Sequence, residues 1–120
     1  MPAATTKGYL IRTLQDAPTV PCACGQSTRP LTYLETPVCN CHVTFITDSK
    51  RHFHKECTEV YLILEGHGRM ELNGDFVEVG PGTVVYIEPY TRHRLSSKEG
   101  VRTVVFGVPA WRPEDEYFDD

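Results

Sequence analysis

The sequence predicts a single all-β domain, a sandwich or closed barrel of short strands. Valine (12) and threonine (13) far outnumber alanine (5), and β-branched side chains favour extended backbone over helix. Nine glycines and nine prolines supply turns for many short elements. A length of 120 residues suffices for one hydrophobic core and not for two.

The elements follow in order. Residues 1–8 read as a flexible N-terminal arm and 9–112 as the barrel domain. Tyr9 to Leu14 reads as a first strand. Asp16 to Pro30, rich in proline, small residues and cysteine, reads as an irregular connection, followed by a short strand over Leu31 to Glu35. Asn40 to Thr47 alternates well enough for a strand, and Asp48-Ser49-Lys50 turns the chain. Val60 to Glu65 is apolar on both faces, as a strand with both faces covered would be. Arg69 to Leu72 and Phe76 to Val79 flank Asn73-Gly74, a strong hairpin signal because both central positions of that turn need positive φ. Gly80-Pro81-Gly82 makes another turn. Thr83 to Glu88, Arg92 to Ser96 and Val101 to Val108 complete the strands. Residues 113–120 form an acidic tail, in which Pro113-Glu114-Asp115-Glu116 opens a short helical turn, with proline first and acids in the first turn.

Composition narrows the function classes. The formal charge of -4 comes from 16 acidic and 12 basic residues with no basic stripe, so no nucleic-acid partner is expected. No apolar run approaches the roughly 20 residues that span a bilayer, and the first residues lack the apolar core of a signal peptide. A cytoplasmic protein with no membrane partner is the expectation. An odd cysteine count in such a chain points to reduced thiols.

Chemistry concentrates in Arg51-His52-Phe53-His54-Lys55-Glu56-Cys57-Thr58-Glu59. Histidines two apart cannot share a helical face, but on extended backbone residues i and i+2 point the same way. Glu59 can return to that face after a short connection. Two imidazoles and a carboxylate on one side outline a divalent-metal site, and His93 is a fourth candidate.

These residues carry a resemblance to the cupin superfamily. Its first motif runs histidine, any residue, histidine, three or four residues, glutamate, six residues, glycine. His52, His54, Glu59 and Gly66 match it. In the second motif Gly82 and His93 match. Glu88 stands where the motif has proline, Tyr90 where it has glycine, and Ser97 where it often has asparagine. Thr47 stands where a glycine usually precedes the first motif. These departures concern turn shape rather than ligation. The short interval from Gly66 to Gly82 is that of small single-domain cupins.

The resemblance implies a double-stranded β-helix, or jelly-roll barrel. It implies one divalent transition metal (Fe, Mn, Ni, Co or Zn) held by His52, His54, Glu59 and His93. It also implies a small-molecule ligand and a homodimer, formed by sheet packing or by exchange of an N-terminal strand. The favoured function is a metalloenzyme, dioxygenase-like with Fe(II). The alternatives are a non-catalytic ligand- or sugar-binding module and a Mn or Zn isomerase or decarboxylase.

Further residues are candidates. Tyr61 and Ile63 share the parity of Glu59, and Tyr61 can donate to a bound substrate or simply pack in the core. Met70, Val84, Tyr86, Leu95, Val104 and Phe106 are candidate cavity walls. Arg69, Arg94 and Arg102 would meet an anionic group if one pointed inward. Cys22-Ala23-Cys24 and Cys39-Asn40-Cys41 offer four thiolates for a structural zinc, against the plainer reading of buried small residues. Cys57, His42 and His67 read as connection, strand and turn residues.

Overall fold

The structure, a computed structural model, describes residues 8–119. Residues 1–7 of the expected arm, and Asp120, lie outside the described residues. Among the described residues eight strands form an antiparallel sheet that curls on itself: β1 (Thr19–Cys22), β2 (Gly25–Leu31), β3 (Asn40–Asp48), β4 (Thr58–Glu65), β5 (Gly68–Leu72), β6 (Asp75–Val79), β7 (Val84–Ile87) and β8 (His93–Val108). Along the sheet the order is β1-β2-β3-β8-β4-β7, with β5 pairing both β8 and β6. The fold is the expected jelly-roll barrel.

Strand β8 is its spine. Arg94 and Leu95 pair with β5, whereas Val101 to Gly107 pair with β3 on one side and Arg102 to Val108 with β4 on the other. The chain reads as two strands here because Ser96 to Gly100 interrupts the alternation. The structure runs them together as one bent strand, with Gly100 at φ 100°. Asn73 (φ 51°) and Gly74 (φ 91°) make the expected hairpin turn between β5 and β6.

Alternation sorts the interior into two ends. Ile46, Ile63, Met70, Val79, Leu95 and Val101 close one end as an apolar plug. Toward the other end, the inward positions of the same strands are polar: Asn40, His42 and Thr44 on β3, Glu59 on β4, His93 and Thr103 on β8. Thr44 and Thr103, register partners on the neighbouring strands β3 and β8, hydrogen-bond through their side chains. Burying so many polar groups is costly unless each has a partner, so the polar end is where a ligand belongs.

Several expectations are corrected. Tyr9 to Leu14 forms no strand; its apolar side chains are exposed and the chain enters a single 3-10 turn at Leu14–Asp16. The stretch from Asp16 to Pro30 is not irregular: β1 and β2 make a hairpin, and only Leu31 of the expected next strand is extended. Val84, Tyr86 and Phe106 face outward and Val104 is half-buried, so the inward residues are Val85, Ile87, Thr103 and Val105. This is the one-residue parity slip that strands apolar on both faces invite. Arg69, Arg94 and Arg102 are all exposed; the first two pair with Glu78 and Asp48.

The cysteines also differ from expectation. Cys22 and Cys24 form a disulfide at the hairpin tip. Cys22 pairs with Gly25 in the turn, which brings the two Cα atoms to 5.1 Å, within bridging range. Two of the four thiolates are therefore unavailable to a zinc site. Cys39, Cys41 and Cys57 are free.

Candidate metal centre

His52, His54, Glu59 and His93 meet at the polar end of the barrel. One donor atom from each lies within 4.8 Å of the others, and all four residues are buried. His52 and His93 face each other across an isolated bridge, His52 N donating to His93 O at 3.1 Å and His93 N to His52 O at 2.9 Å. Glu59, the second residue of β4, points inward with Tyr61 and Ile63.

Hydrogen bonds at the backs of the rings fix their direction. His52 Nδ1 lies 2.6 Å from the Lys50 carbonyl, His54 Nδ1 2.9 Å from that of Asp115, and His93 Nδ1 2.9 Å from that of Thr91. A carbonyl only accepts, so each Nδ1 carries a proton, and the Nε2 atoms of His54 and His93 point at Glu59. His54 Nε2 lies 3.1 Å and His93 Nε2 3.3 Å from Glu59 Oε1. His93 Nε2 makes no hydrogen bond despite that approach. Converging ring nitrogens, that of His93 without a partner, beside a carboxylate fit a divalent cation. Each outer carbonyl supplies the back-side hydrogen bond that metal-ligating histidines use.

The electrostatics agree. Burial and the neighbouring His93 hold His52 down, at about 4. Burial would lower His54 too, but its bond to Glu59 and that group's charge push it up to about 9. Burial raises Glu59, yet the His54 bond and the charges of His54 and His93 carry it well below the usual carboxylate range. Without metal, a proton sits between His54 and Glu59 where positive charge is demanded.

Two supports were not evident in the sequence. Asp115, 2% exposed, accepts backbone N–H bonds from Lys55 (2.9 Å), Glu56 (3.1 Å) and Cys57 (2.9 Å). It anchors the connection between His54 and Glu59. It sits in the expected helical turn, a 3-10 turn over Pro113–Asp115; the turn was legible but its docking was not. Asn40, 1% exposed, takes the Trp111 N–H at 2.7 Å and donates to the Val105 carbonyl at 3.3 Å. It ties the C-terminal segment across the barrel mouth. The turn before His93 keeps a glycine-like backbone without glycine, since Tyr90 adopts φ 72°.

A cavity of about 40 Å³ opens beside the cluster. Its walls include His52, Glu59, Tyr61, Arg29, His42 and Glu116. The Tyr61 hydroxyl finds no hydrogen-bond partner among the described residues. Burial, with Glu59 next, keeps its phenol protonated by raising its pKa well above the usual value. Cys57 is buried beside Gly107 rather than lining this cavity, and His67 packs against Gly80.

The barrel and its converging donors define a cupin-type site. Residues 42–108 match the cupin domain family, and the chain belongs to it. A protein of known structure from Planctomyces limnophilus superposes with a TM-score of 0.86 at 26% identity, over 95% of this chain and all of that one. Pac13 of Streptomyces, a nucleoside dehydratase, superposes at 0.78 with 19% identity, over 91% of this chain and 89% of its own; that likeness speaks for the fold alone. In sequence, an uncharacterised protein of Methanocaldococcus jannaschii is 43% identical over 71 residues, 56% of this chain and 57% of its own length. The glucose-6-phosphate isomerase of Thermococcus litoralis is 42% identical over 53 residues, 38% of this chain and 28% of the isomerase. The chain thus spans only part of these curated relatives. Among the described residues no helix is long and apolar enough to cross a membrane.

Proposed function

We propose that this cupin is a metal-dependent enzyme acting on a small organic molecule in the barrel mouth, with one divalent transition metal held by His52, His54, Glu59 and His93. The observation that carries this is the orientation of the rings, each Nδ1–H tied back to a carbonyl, the Nε2 atoms of His54 and His93 turned toward Glu59, and one donor from each of the four residues within 4.8 Å of the others. Three imidazoles and a carboxylate suit Fe, Mn, Co, Ni or Zn, and four protein donors leave positions open on a six-coordinate ion. A bound ion supplies Lewis acidity and, if redox-active, one-electron chemistry. The protein supplies the rest. The carbonyls of Lys50, Thr91 and Asp115 fix the ligands. Tyr61, protonated and without a partner, offers a hydrogen-bond donor at the cavity wall. The apolar plug keeps bulk water from the inner side.

Two chemistries compete within this class. Fe(II) would support dioxygenase-like turnover. An isomerase reading draws on the identity shared with archaeal glucose-6-phosphate isomerases. Metal analysis of the wild type and His54→Ala, then oxygen uptake by Fe(II)-loaded protein and proton exchange by Mn- or Zn-loaded protein, separates them. Full metal content in His54→Ala would overturn the ligand assignment. Ligand binding without turnover under every metal would leave a binding module.

We propose also that two copies pair through the outer face of the sheet. Val43, Val104, Leu62 and Val84 form one cross-strand row, and Cys41, Phe106, Val60 and Tyr86 form the next. Val84 and Tyr86 are each 62% exposed and Phe106 42%, a continuous apolar surface of the kind that marks an interface. Light scattering should return twice the chain mass, falling to one chain mass in Phe106→Glu. A wild type that is monomeric at high concentration would contradict this.

A further inference from the structure

Beyond the metal ligands, the cavity has a second polar wall. Strands β2 and β3 pair Thr28 with Val43 and Leu31 with Cys41, so Arg29 and Pro30 together oppose the single residue His42. This is a β-bulge, a device that re-aims a side chain, and proline is tolerated there because no ladder N–H is needed. The bulge sets Arg29 beside His42, and both line the cavity that holds His52 and Glu59.

Arg29 is held but not neutralised. Its Nε donates to Ser27 Oγ at 3.0 Å, and its guanidinium lies 4.8 Å over the Trp111 ring. Its two terminal nitrogens make no hydrogen bond among the described residues. Glu116 is the acid whose charge acts on it, but that carboxylate accepts from Trp111 Nε1 at 3.2 Å. A half-buried guanidinium with its fork free is matched to a carboxylate or phosphate. His42 adds an independent sign. It is 6% exposed, its ring lies edge-on to Trp111, and its Nε2 has no hydrogen-bond partner. A buried polar atom left unpaired is destabilising, so a partner from outside the chain is wanted there.

We infer that Arg29 and His42 form an oxyanion subsite, in which the Arg29 fork and His42 Nε2 bind the carboxylate or phosphate of a small organic substrate whose other end reaches the metal. This rests on the reading of the cluster as a metal-centred ligand cavity. The charge balance favours it, because a divalent ion and Arg29 outweigh Glu59 even with Glu116 ionised. Burial and the Arg29 charge hold His42 near 4. Its imidazole is therefore neutral at physiological pH and can donate one N–H to an anion.

The only tryptophan, Trp111, touches both residues and reports binding through its fluorescence. Metal-loaded protein is titrated with lactate, with glycerol 3-phosphate and with neutral lactamide, in the wild type, Arg29→Gln and Arg29→Lys, each checked for folding by circular dichroism. At least one of the two anions should saturate the signal and lactamide should bind at least about tenfold more weakly. Arg29→Gln should weaken that anion about tenfold or more, with Arg29→Lys in between. Whichever anion binds more tightly identifies the group. Equal binding of lactamide and both anions, or Arg29→Gln variants that bind like the wild type, overturns the subsite. The same titration in His54→Ala separates the two readings. An Arg29-dependent response that persists without metal supports the subsite alone, and loss of metal binding in the wild type would remove the metal reading without touching it.

Discussion

Removing the Asp115 side chain tests how the metal loop is held. Its carboxylate accepts three consecutive backbone N–H groups, those of Lys55, Glu56 and Cys57, and no other acceptor for them occurs among the described residues. Bonds to a charged acceptor contribute roughly 1.5–3 kcal/mol each. They share one acceptor group, and Lys55 and Glu56 are exposed, so water replaces part of what is lost. The net cost of Asp115→Ala should be about 3–5 kcal/mol, a large share of the roughly 5–15 kcal/mol of a domain this size. At about 4 °C per kcal/mol the melting temperature should fall by about 12–20 °C. Asp115→Asn keeps one acceptor oxygen and should lie between. The loop joins His54 to Glu59, so metal binding must then also order it. Fixing even one residue costs about 1–2 kcal/mol, so the metal dissociation constant should rise by about tenfold or more. Thermal unfolding by circular dichroism and competitive metal titration measure both. A melting temperature within about 3 °C of wild type and unchanged metal affinity would refute the anchoring role.

Other perturbations have equally definite outcomes. His54 is raised to about 9 in the metal-free protein, so its contribution is complete below its unfolded value near 6.5 and is lost as pH climbs toward 9, by about 3 kcal/mol. His42 and His52 are depressed to about 4, so theirs is complete above 6.5 and lost as pH falls toward 4. Chemical denaturation of metal-free protein should therefore peak near pH 6.5, and stability still rising from pH 6.5 to 9 would contradict the His54 assignment. Metal must displace the His54 proton, so affinity should rise about tenfold per pH unit from 6.5 to 9. Calorimetry in buffers of different ionisation enthalpy should count about one proton released at pH 7.5; zero release would count against it. Gly66→Ala and Gly74→Ala both force a side chain onto positive φ, but only at Gly66 does the new Cβ collide with backbone, the Gly100 carbonyl. Gly74→Ala should cost about 1 kcal/mol and Gly66→Ala about 2 kcal/mol or more, so equal melting temperatures would dismiss the steric argument.

The sequence announced the barrel from Asn40 onward because each strand there is bounded by strong turn chemistry and carries a readable pattern. Asn73-Gly74 and Gly80-Pro81-Gly82 left little freedom in register. The hairpin of β1 and β2 was hidden by its prolines. Pro21 lies on the edge strand and Pro30 in the bulge, the places where a sheet accepts proline, yet in sequence they resemble a loop. The four clustered donors were legible because extended backbone turns His52 and His54 the same way and the motif interval returns Glu59. Arg29 and Asp115 were not. Arg29 gains its place through the bulge opposite His42, and Asp115 binds a loop some 60 residues earlier in the chain. Neither relation leaves a local pattern. The inward faces of β7 and the second half of β8 were misread by one residue because both faces of those strands are apolar.

His52, His54, Glu59 and His93 together are proposed to hold one metal. X-ray absorption at the edge of the metal bound to the full chain examines those bonds directly. One ion per chain is expected, with three imidazoles and one carboxylate oxygen at about 2.0–2.2 Å and one imidazole fewer in His93→Ala. Sulfur at about 2.3 Å, or a spectrum that His93→Ala leaves unchanged, would contradict it.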